Sequence, residues 1–148
     1  VSAVQTFDGP LDEAGGPVSV TVTLADHVDV SRGDLIARPQ DAPPVRRELT
    51  ATVCWMADAP LRPGARLALK HTTNTVRAIV DGVEDRLDVE TLQREAGAAE
   101  LALNDIGTVH LRTSAPVLAD AYASNRTTGS FILIDEATND TVAAGMVL

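Results

Sequence analysis

The side chains that most often bind metals or act as nucleophiles are few in this chain and lie far apart. There are three histidines, His27, His71 and His110, and one cysteine, Cys54. A zinc site needs about four ligands, most often cysteines and histidines at short spacings, and no such spacing occurs here. The histidines are therefore predicted to be surface or rim residues. Cys54 is predicted to be buried and inert, because no cationic cluster lies near it in sequence to activate the thiol.

Carboxylates are abundant, and their densest runs lie at 26–34 and 81–90. A pair of acids can cleave a glycosidic bond only where the fold places them across a cleft. A calcium loop needs oxygen ligands at alternating positions around a glycine, a pattern that residues 26–34 match only loosely. Both runs are interpreted as solvated loops, and a hydrolase that uses scattered carboxylates is the weaker alternative.

Sequence signatures of nucleotide-binding and hydrolytic enzymes are absent. The chain has no Gly-x-x-x-x-Gly-Lys-Ser/Thr, Gly-x-Gly-x-x-Gly, Gly-x-Ser-x-Gly or His-Glu-x-x-His. An Arg-Gly-Asp tripeptide at 32–34 and Asn-x-Thr patterns at 125–127 and 139–141 do occur. Such short patterns recur by chance, and a turn explains each. No catalytic, cofactor-binding or metal-binding residue is predicted.

The charge composition argues against nucleic acid and anionic membranes as partners. The formal net charge is −9, and Lys70 is the only lysine among twelve basic residues, whose arginines are scattered. Binding to a phosphate backbone would need a basic face. The sequence contains no signal peptide and no long apolar run, so we expect a cytoplasmic protein.

The elements that would position any site are strands. Every second residue from Leu49 to Trp55 is apolar, which is typical of a half-buried β-strand. The sequence Pro-Leu-Arg-Pro-Gly at 60–64 predicts a turn in which Gly64 takes a positive φ. Alternation resumes from Leu67 to His71, so a hairpin is predicted. This stretch and the segment 128–148 are expected to supply the first and last strands of a small antiparallel barrel.

About nine short strands, frequent turn residues and no long helix predict an all-β protein. A kink or a bulge is expected at Asp81-Gly82, a close approach or bulge at Gly145, and a turn of helix or a solvated loop at 88–100. A short helix is predicted at 116–125, with Pro116 in its first turn. Further strands are expected at 1–6, 18–25, 35–38, 75–80, 101–103, 107–113, 131–134 and 142–146.

The prolines at 39, 43 and 44 predict a domain boundary, because proline cannot donate to a sheet ladder and restricts the residue before it. The first ~40 residues contain too few strands to close a barrel or to be stable alone. We therefore expect them to be the end of a domain whose beginning lies outside the chain.

Several sequence blocks together resemble one family. They are Thr-Phe-Asp-Gly-Pro-Leu at 6–11, Ser-Arg-Gly-Asp-Leu-Ile at 31–36, Ala-Thr-Val-Cys-Trp-Met at 51–56, Leu-Lys-His-Thr-Thr at 69–73, Gly-Ser-Phe-Ile-Leu-Ile-Asp at 129–135 and Val-Ala-Ala-Gly-Met-Val at 142–147. They resemble the large, GTP-binding subunit of bacterial sulfate adenylyltransferase, of the actinobacterial type that is often fused to an adenylylsulfate kinase. Asn74 departs from the arginine expected after Lys-His-Thr-Thr.

The resemblance implies an architecture similar to that of elongation factor Tu, a GTPase domain followed by two β-barrels. Residues 1–42 would be the latter part of the second domain. Residues 43–148 would be the complete third domain, a six-stranded antiparallel barrel. The GTPase domain, with its GTP and magnesium sites, would lie outside this chain.

The implied parent reaction converts ATP and sulfate to adenylyl sulfate and pyrophosphate, coupled to GTP hydrolysis, in sulfate assimilation. Adenylyl transfer would occur on a separate small subunit, so the resemblance assigns no catalytic residue or cofactor to this chain, which alone is not expected to be an enzyme. The implied role is docking and relay between the GTPase domain and the small subunit, with a fused kinase as a further partner. The alternative is a free-standing β-barrel or sandwich that binds a small ligand or a protein.

Overall fold

The computed structural model describes all residues from 1 to 148. Its internal contacts divide the chain into two compact units, Val1–Ser31 and Arg32–Leu148. The structure contains no helix of the length and hydrophobicity needed to cross a bilayer. The predicted boundary between residues 42 and 43 stays a prediction; a short 3₁₀ helix at Pro39–Asp41 immediately precedes it.

The first unit contains a three-stranded antiparallel sheet. Strand β1 (Ala3–Thr6) lies between β2 (Gly9–Leu11) and β3 (Thr21–Thr23). Residues 7 and 8 form the turn between β1 and β2, and Gly9, the first residue of β2, adopts a φ of 133°. The strand predicted at 18–25 is wrong in length, because only Thr21–Thr23 pairs with β1. All three of its residues are exposed, so no buried face extends the strand to the full alternating pattern.

The second unit is a closed barrel. Its strands are β4 (Val45–Trp55), β5 (Arg66–His71), β6 (Asn74–Leu87), β7 (Arg94–Ala96), β8 (Ile106–Leu118), β9 (Ser130–Ile134) and β10 (Thr141–Val147). Six of them follow one another in the order β5–β9–β10–β4–β8–β6, and the pairing of β6 with β5 closes the ring. All pairs are antiparallel, and β7 extends the sheet from the end of β6. The predicted six-stranded antiparallel barrel is confirmed, and its first and last strands, β4 and β10, pair with each other.

The barrel interior is filled by alternate residues of its strands, as the sequence pattern predicts. The inward face of β4 carries Leu49, Ala51, Val53 and Trp55, each at most 4% exposed. Because aromatic residues are scarce, aliphatic side chains make up most of the core, with Trp55 and Phe131 as its aromatic members. The largest fully buried side chains are Leu49, Leu61, Leu69, Leu101, Leu111, Leu133, Val53, Val80, Val109, Val117 and Val147.

The predicted hairpin of β4 and β5 is wrong. Strand β4 pairs with β8 and β10, whereas β5 pairs with β6 and β9. The predicted turn does exist, because the N–H of Ala65 donates to the carbonyl of Arg62 at 3.1 Å and Gly64 has a φ of 89°. Residues 56–65 nevertheless cross one end of the barrel, where buried Leu61 pairs with Leu101. The strand expected at 101–103 is reduced to this single bridge.

The short helix predicted at 116–125 is also wrong. Pro116 lies inside β8, which continues to Leu118 because Val45 and Arg46 of β4 pair with Leu118 and Val117. Val117 is fully buried in the core, so burial in the sheet outweighs the local helix signal. No strand forms at 35–38 either.

Two strand glycines have the roles that the sequence predicts. The pairing of β6 with β8 shifts register between Val80 and Gly82, which is a bulge. At Gly145, a Cβ atom would overlap the ring of Phe131, its direct partner on β9. Only glycine lets this ring lie across the backbone of β10, so the predicted close approach is confirmed.

Asp88 organises the loop that joins β6 to β7. Its Oδ1 accepts the N–H groups of Thr91 at 3.1 Å and Glu90 at 2.8 Å. These hydrogen bonds, that of Thr91 foremost, lower the pKa of Asp88 below its usual value. A carboxyl group whose pKa is lower in the folded state stabilises the fold above its unfolded pKa and loses that effect as the pH falls through the folded pKa. At neutral pH the ionised Asp88 therefore stabilises the loop through these hydrogen bonds.

Candidate functional site

The three histidines lie on different elements and in different environments. His27 is exposed, and the half-exposed His110 lies 3.2 Å from Glu84. The prediction for His71 is wrong. This side chain points from β5 into the barrel and is only 4% exposed, and its Nε2–H donates to the carbonyl of Thr128 at 2.7 Å. No group of three or more His, Cys, Asp or Glu side chains is placed to hold a metal ion.

The acidic run at 81–90 is not simply a solvated loop. Asp85 lies in β6 and is 9% exposed, and its Oδ1 accepts Nη1 of Arg94 at 2.7 Å and the N–H of Thr108 at 3.1 Å. The same Nη1 donates to Thr108 Oγ1 at 2.9 Å. Asp81, also in β6, pairs with Arg112 at 2.8 Å on the surface. These carboxylates connect strands, which is a structural role.

The two aspartates of β6 should differ in their contribution to stability. Asp85→Ala should lower the free energy of unfolding by about 2 kcal/mol, because it leaves the buried Thr108 N–H without an acceptor. Asp81→Ala should change it by less than about 0.5 kcal/mol, since exposed ion pairs contribute little. Urea unfolding followed by the fluorescence of Trp55, the only tryptophan, measures both. Equal losses in the two variants would contradict the structural role of Asp85.

A concave surface with a volume of about 740 Å³ lies on the outer face of the barrel. We call it the outer groove. Side chains of β4, β5, β9 and β10 line it, with Ile106 at the start of β8 and Tyr122 and Thr127 from the loop after β8. Cys54 lies in its floor and is partly exposed, so the prediction of a buried cysteine is wrong. On β4, Cys54 points away from the core that its neighbours Val53 and Trp55 fill.

One continuous row of side chains runs along the groove floor. Pairing joins Lys70 to Ile132, Ile132 to Ala144, Ala144 to Cys54, and Cys54 to Ile106. Residues directly opposite each other in a sheet point to the same side, so these five side chains form a single outward-facing row across five strands. Four of them are apolar or weakly polar, and the fifth is an ammonium group. The row therefore has an apolar end at β8 and a cationic end at β5.

The cationic end of the row carries no compensating charge. Lys70 forms no ion pair in the structure, and the groove lining contains no aspartate or glutamate. Next to it, Thr72 adopts a φ of 51° in the turn between β5 and β6, an uncommon conformation for a β-branched residue. The groove can thus accept an apolar body and one anionic group.

A second, smaller groove of about 490 Å³ lies on the outer face of β5, β6 and β8. It contains Arg66, Arg77 and Arg112, but Arg77 pairs with Glu136 at 3.2 Å and Arg112 pairs with Asp81. Two of its three guanidinium groups are therefore already neutralised by neighbours. This leaves the outer groove as the stronger candidate for a docking surface.

Comparison with known protein families gives matches that agree with the barrel fold described above. The model of the family described as GTP-eEF1A C-terminal domain-like matches residues 48–148, which include most of β4 and every later strand. The chain belongs to this family. As a GTP-eEF1A C-terminal domain-like protein, it is similar in fold to Sup35 complexed with GMPPNP, with a TM-score of 0.82 at 18% identity, over 99% of this chain and 36% of that one.

Curated relatives of this eEF1A C-terminal-like chain include a bifunctional enzyme and a sulfate adenylyltransferase subunit. It is 54% identical over its whole length to the "Bifunctional enzyme CysN/CysC" of Mycobacterium tuberculosis, of which it covers 24%. It is 44% identical over 99% of its length to "Sulfate adenylyltransferase subunit 1" of Shewanella woodyi, of which it covers 31%. The resemblance drawn from the sequence blocks is confirmed. The chain spans about a quarter to a third of the length of these relatives.

Proposed function

We propose that these residues form the β-barrel region of the large, GTP-binding subunit of a sulfate adenylyltransferase, where they dock and relay motion between other parts of the enzyme. Identity of 54% across the whole chain to a CysN/CysC enzyme is the observation that carries this proposal. On this proposal the protein works in the cytoplasm, and a fused adenylylsulfate kinase is a further partner.

The chemistry of the proposed enzyme is the formation of adenylyl sulfate and pyrophosphate from ATP and sulfate, driven by GTP hydrolysis. GTP and magnesium would bind a GTPase domain, and adenylyl transfer would take place on the small subunit. The side chains of this chain then hold the geometry between those centres. The buried carboxylate of Asp85 and the inward His71 tie strands or loops together, which suits a mechanical role.

The closed ring supports the relay part of the proposal. Switches of this type move whole domains about their interfaces, and a domain that transmits such a movement must not deform internally. Each of the six strands of the ring contributes at least one fully buried aliphatic side chain to the core, and densely packed interiors transmit displacement with little compression. The barrel can therefore carry a shift at one surface to another as a rigid body.

The proposal is tested with the full-length large subunit and its small subunit. Sulfate-dependent formation of adenylyl sulfate is measured for each alone and for the two together, with and without GTP. We expect product from the pair, stimulation by GTP, and no product from the large subunit alone. Adenylyl sulfate formed by the large subunit alone, or no product from the pair, would refute the proposed function. Reactions without sulfate are the control.

A further inference from the structure

We propose that the outer groove binds a protein segment that presents apolar side chains to the row from Ile132 to Ile106 and one carboxylate to Lys70. The inference rests on the proposed function in one respect, because it assigns this segment to the small subunit. Beyond the proposed function, the inference specifies the docking surface, the orientation of the bound segment and the chemistry that recognises it.

The apolar part of the row is unusual for its position. On the outside of a barrel, alternate residues normally face water and are polar, but Ile132, Ala144, Cys54 and Ile106 face outward there. With neighbouring strands about 4.8 Å apart, a row across five strands is roughly 19 Å long. A helix of about 13 residues has that length. The groove therefore matches one short element of a partner.

The charge at the end of the row fixes the direction of the bound segment. Lys70 is the only lysine in a chain of net charge −9, and it lies at the one end of the row that is not apolar. The lining supplies hydroxyl groups but no carboxylate. A carboxylate on the partner would complete the pairing of Lys70, while a basic group there would be repelled, so the lysine contributes specificity as well as orientation.

The groove is held in shape before any partner arrives. One wall is the loop 119–129, where the Oγ1–H of Thr128 donates to Asp120 at 2.6 Å and the N–H of Tyr122 donates to the carbonyl of Val147 at 2.8 Å. A Cβ atom at Gly129 would overlap the backbone of Tyr122, so the end of this loop packs directly against its middle. A preformed surface loses little conformational freedom on binding.

Other occupants fit the groove less well. A second copy of the chain would bring the same lining, which has no carboxylate for Lys70. Nucleic acid would need several cations along a phosphate backbone, and the lining contains one. The strand spacing makes the open row roughly 19 Å long, and a small molecule would leave much of that length uncovered. An apolar segment with a single acidic side chain satisfies both ends of the row.

The test measures the affinity of the full-length large subunit for the small subunit by isothermal titration calorimetry. Lys70→Glu and Ala144→Arg should each weaken binding by about tenfold or more, since one reverses the charge and the other fills the apolar floor. Arg66→Glu is the matched control, because it makes the same charge reversal at an exposed position of the same strand, outside the groove. It should change the affinity less than about twofold. Thermal unfolding confirms that each variant is folded.

The outcomes separate the inference from the function on which it rests. Rescue of Lys70→Glu by one Asp→Lys or Glu→Lys replacement in the small subunit would identify the paired carboxylate and support the inference. Normal binding by Lys70→Glu and Ala144→Arg would overturn the groove as the docking surface and leave the proposed function intact. Equal losses of affinity in Lys70→Glu and Arg66→Glu would also overturn the groove as the docking surface, because they would indicate a general effect of charge. Failure of the wild-type subunits to associate would refute the docking function itself.

Discussion

Replacing Gly107 with alanine should destabilise the barrel by about 3 kcal/mol, at the upper end of the range for overpacked sites. Gly107 lies in β8 between Val53 of β4 and Arg86 of β6. A Cβ atom there would overlap the backbone carbonyl of Asp85 and lie 2.7 Å from Cδ2 of the buried Leu101. A carbonyl in a sheet ladder cannot move aside without disturbing its hydrogen bonds, so the steric overlap cannot be relieved by a small local shift.

Urea unfolding of the 148-residue chain, followed by Trp55 fluorescence, measures this loss. Gly82→Ala is the matched control, since Gly82 is also a barrel glycine without positive φ and its added Cβ would meet only His110 Cδ2, at 3.9 Å. It should change the free energy of unfolding by less than about 1 kcal/mol, as expected for a glycine with room for a methyl group. Wild-type stability in Gly107→Ala would show that β6 and β8 are not as close as described.

Leu133→Ala should cost about 3 to 5 kcal/mol, the range for truncating a fully buried leucine that leaves a cavity. Leu133 is 0% exposed and lies on β9, paired with Leu69 of β5 and Ala143 of β10. Because the ring is closed around it, the surrounding strands have little freedom to collapse into the space. The loss of unfolding free energy is read from the same urea titration.

The adjacent residue on the same strand provides the comparison. Ile134 points to the opposite side of β9 from Leu133 and is only partly buried. Ile134→Ala removes a similar side chain but should cost roughly 1 kcal/mol, since less area is removed from water and no enclosed cavity forms. If the two variants lose equal stability, the assignment of inner and outer faces on β9 is wrong.

The faces of the strands could be predicted from sequence, but their lateral partners could not. The alternation from Leu49 to Trp55 has a period of two, which assigns each residue to the core or the surface without knowledge of the neighbouring strand. The partner of β4 depends on residues more than 50 positions away. A proline-glycine turn after β4 favoured the local hairpin, although residues 56–65 cross the barrel end instead.

The misassigned helix at 116–125 has a similar origin. Pro116 satisfies a helix-start pattern, but Val117 is fully buried in the barrel, and β4 pairs with Val117 and Leu118 beyond a shift of register. Tertiary burial outweighed a weak local preference. The same effect made His71 an interior residue, since its position on the inward face of β5 decides its burial rather than its polarity.

The outer groove was missed because its row exists only after the barrel closes. Its members come from five strands that are scattered between Cys54 and Ala144 in sequence. Two signals were available, the apolar residues on both faces of 131–134 and the single lysine of a strongly acidic chain. Neither indicates which side chains become neighbours, because that depends on strand order and register.

A cryo-electron microscopy structure of the full-length large subunit bound to its small subunit, with a GTP analogue, tests the central claim most directly. The proposed docking role predicts that residues 43–148 contact the small subunit or the GTPase domain, with the outer groove facing the small subunit. A complex in which these residues contact neither partner would contradict the role of this barrel as a docking and relay element.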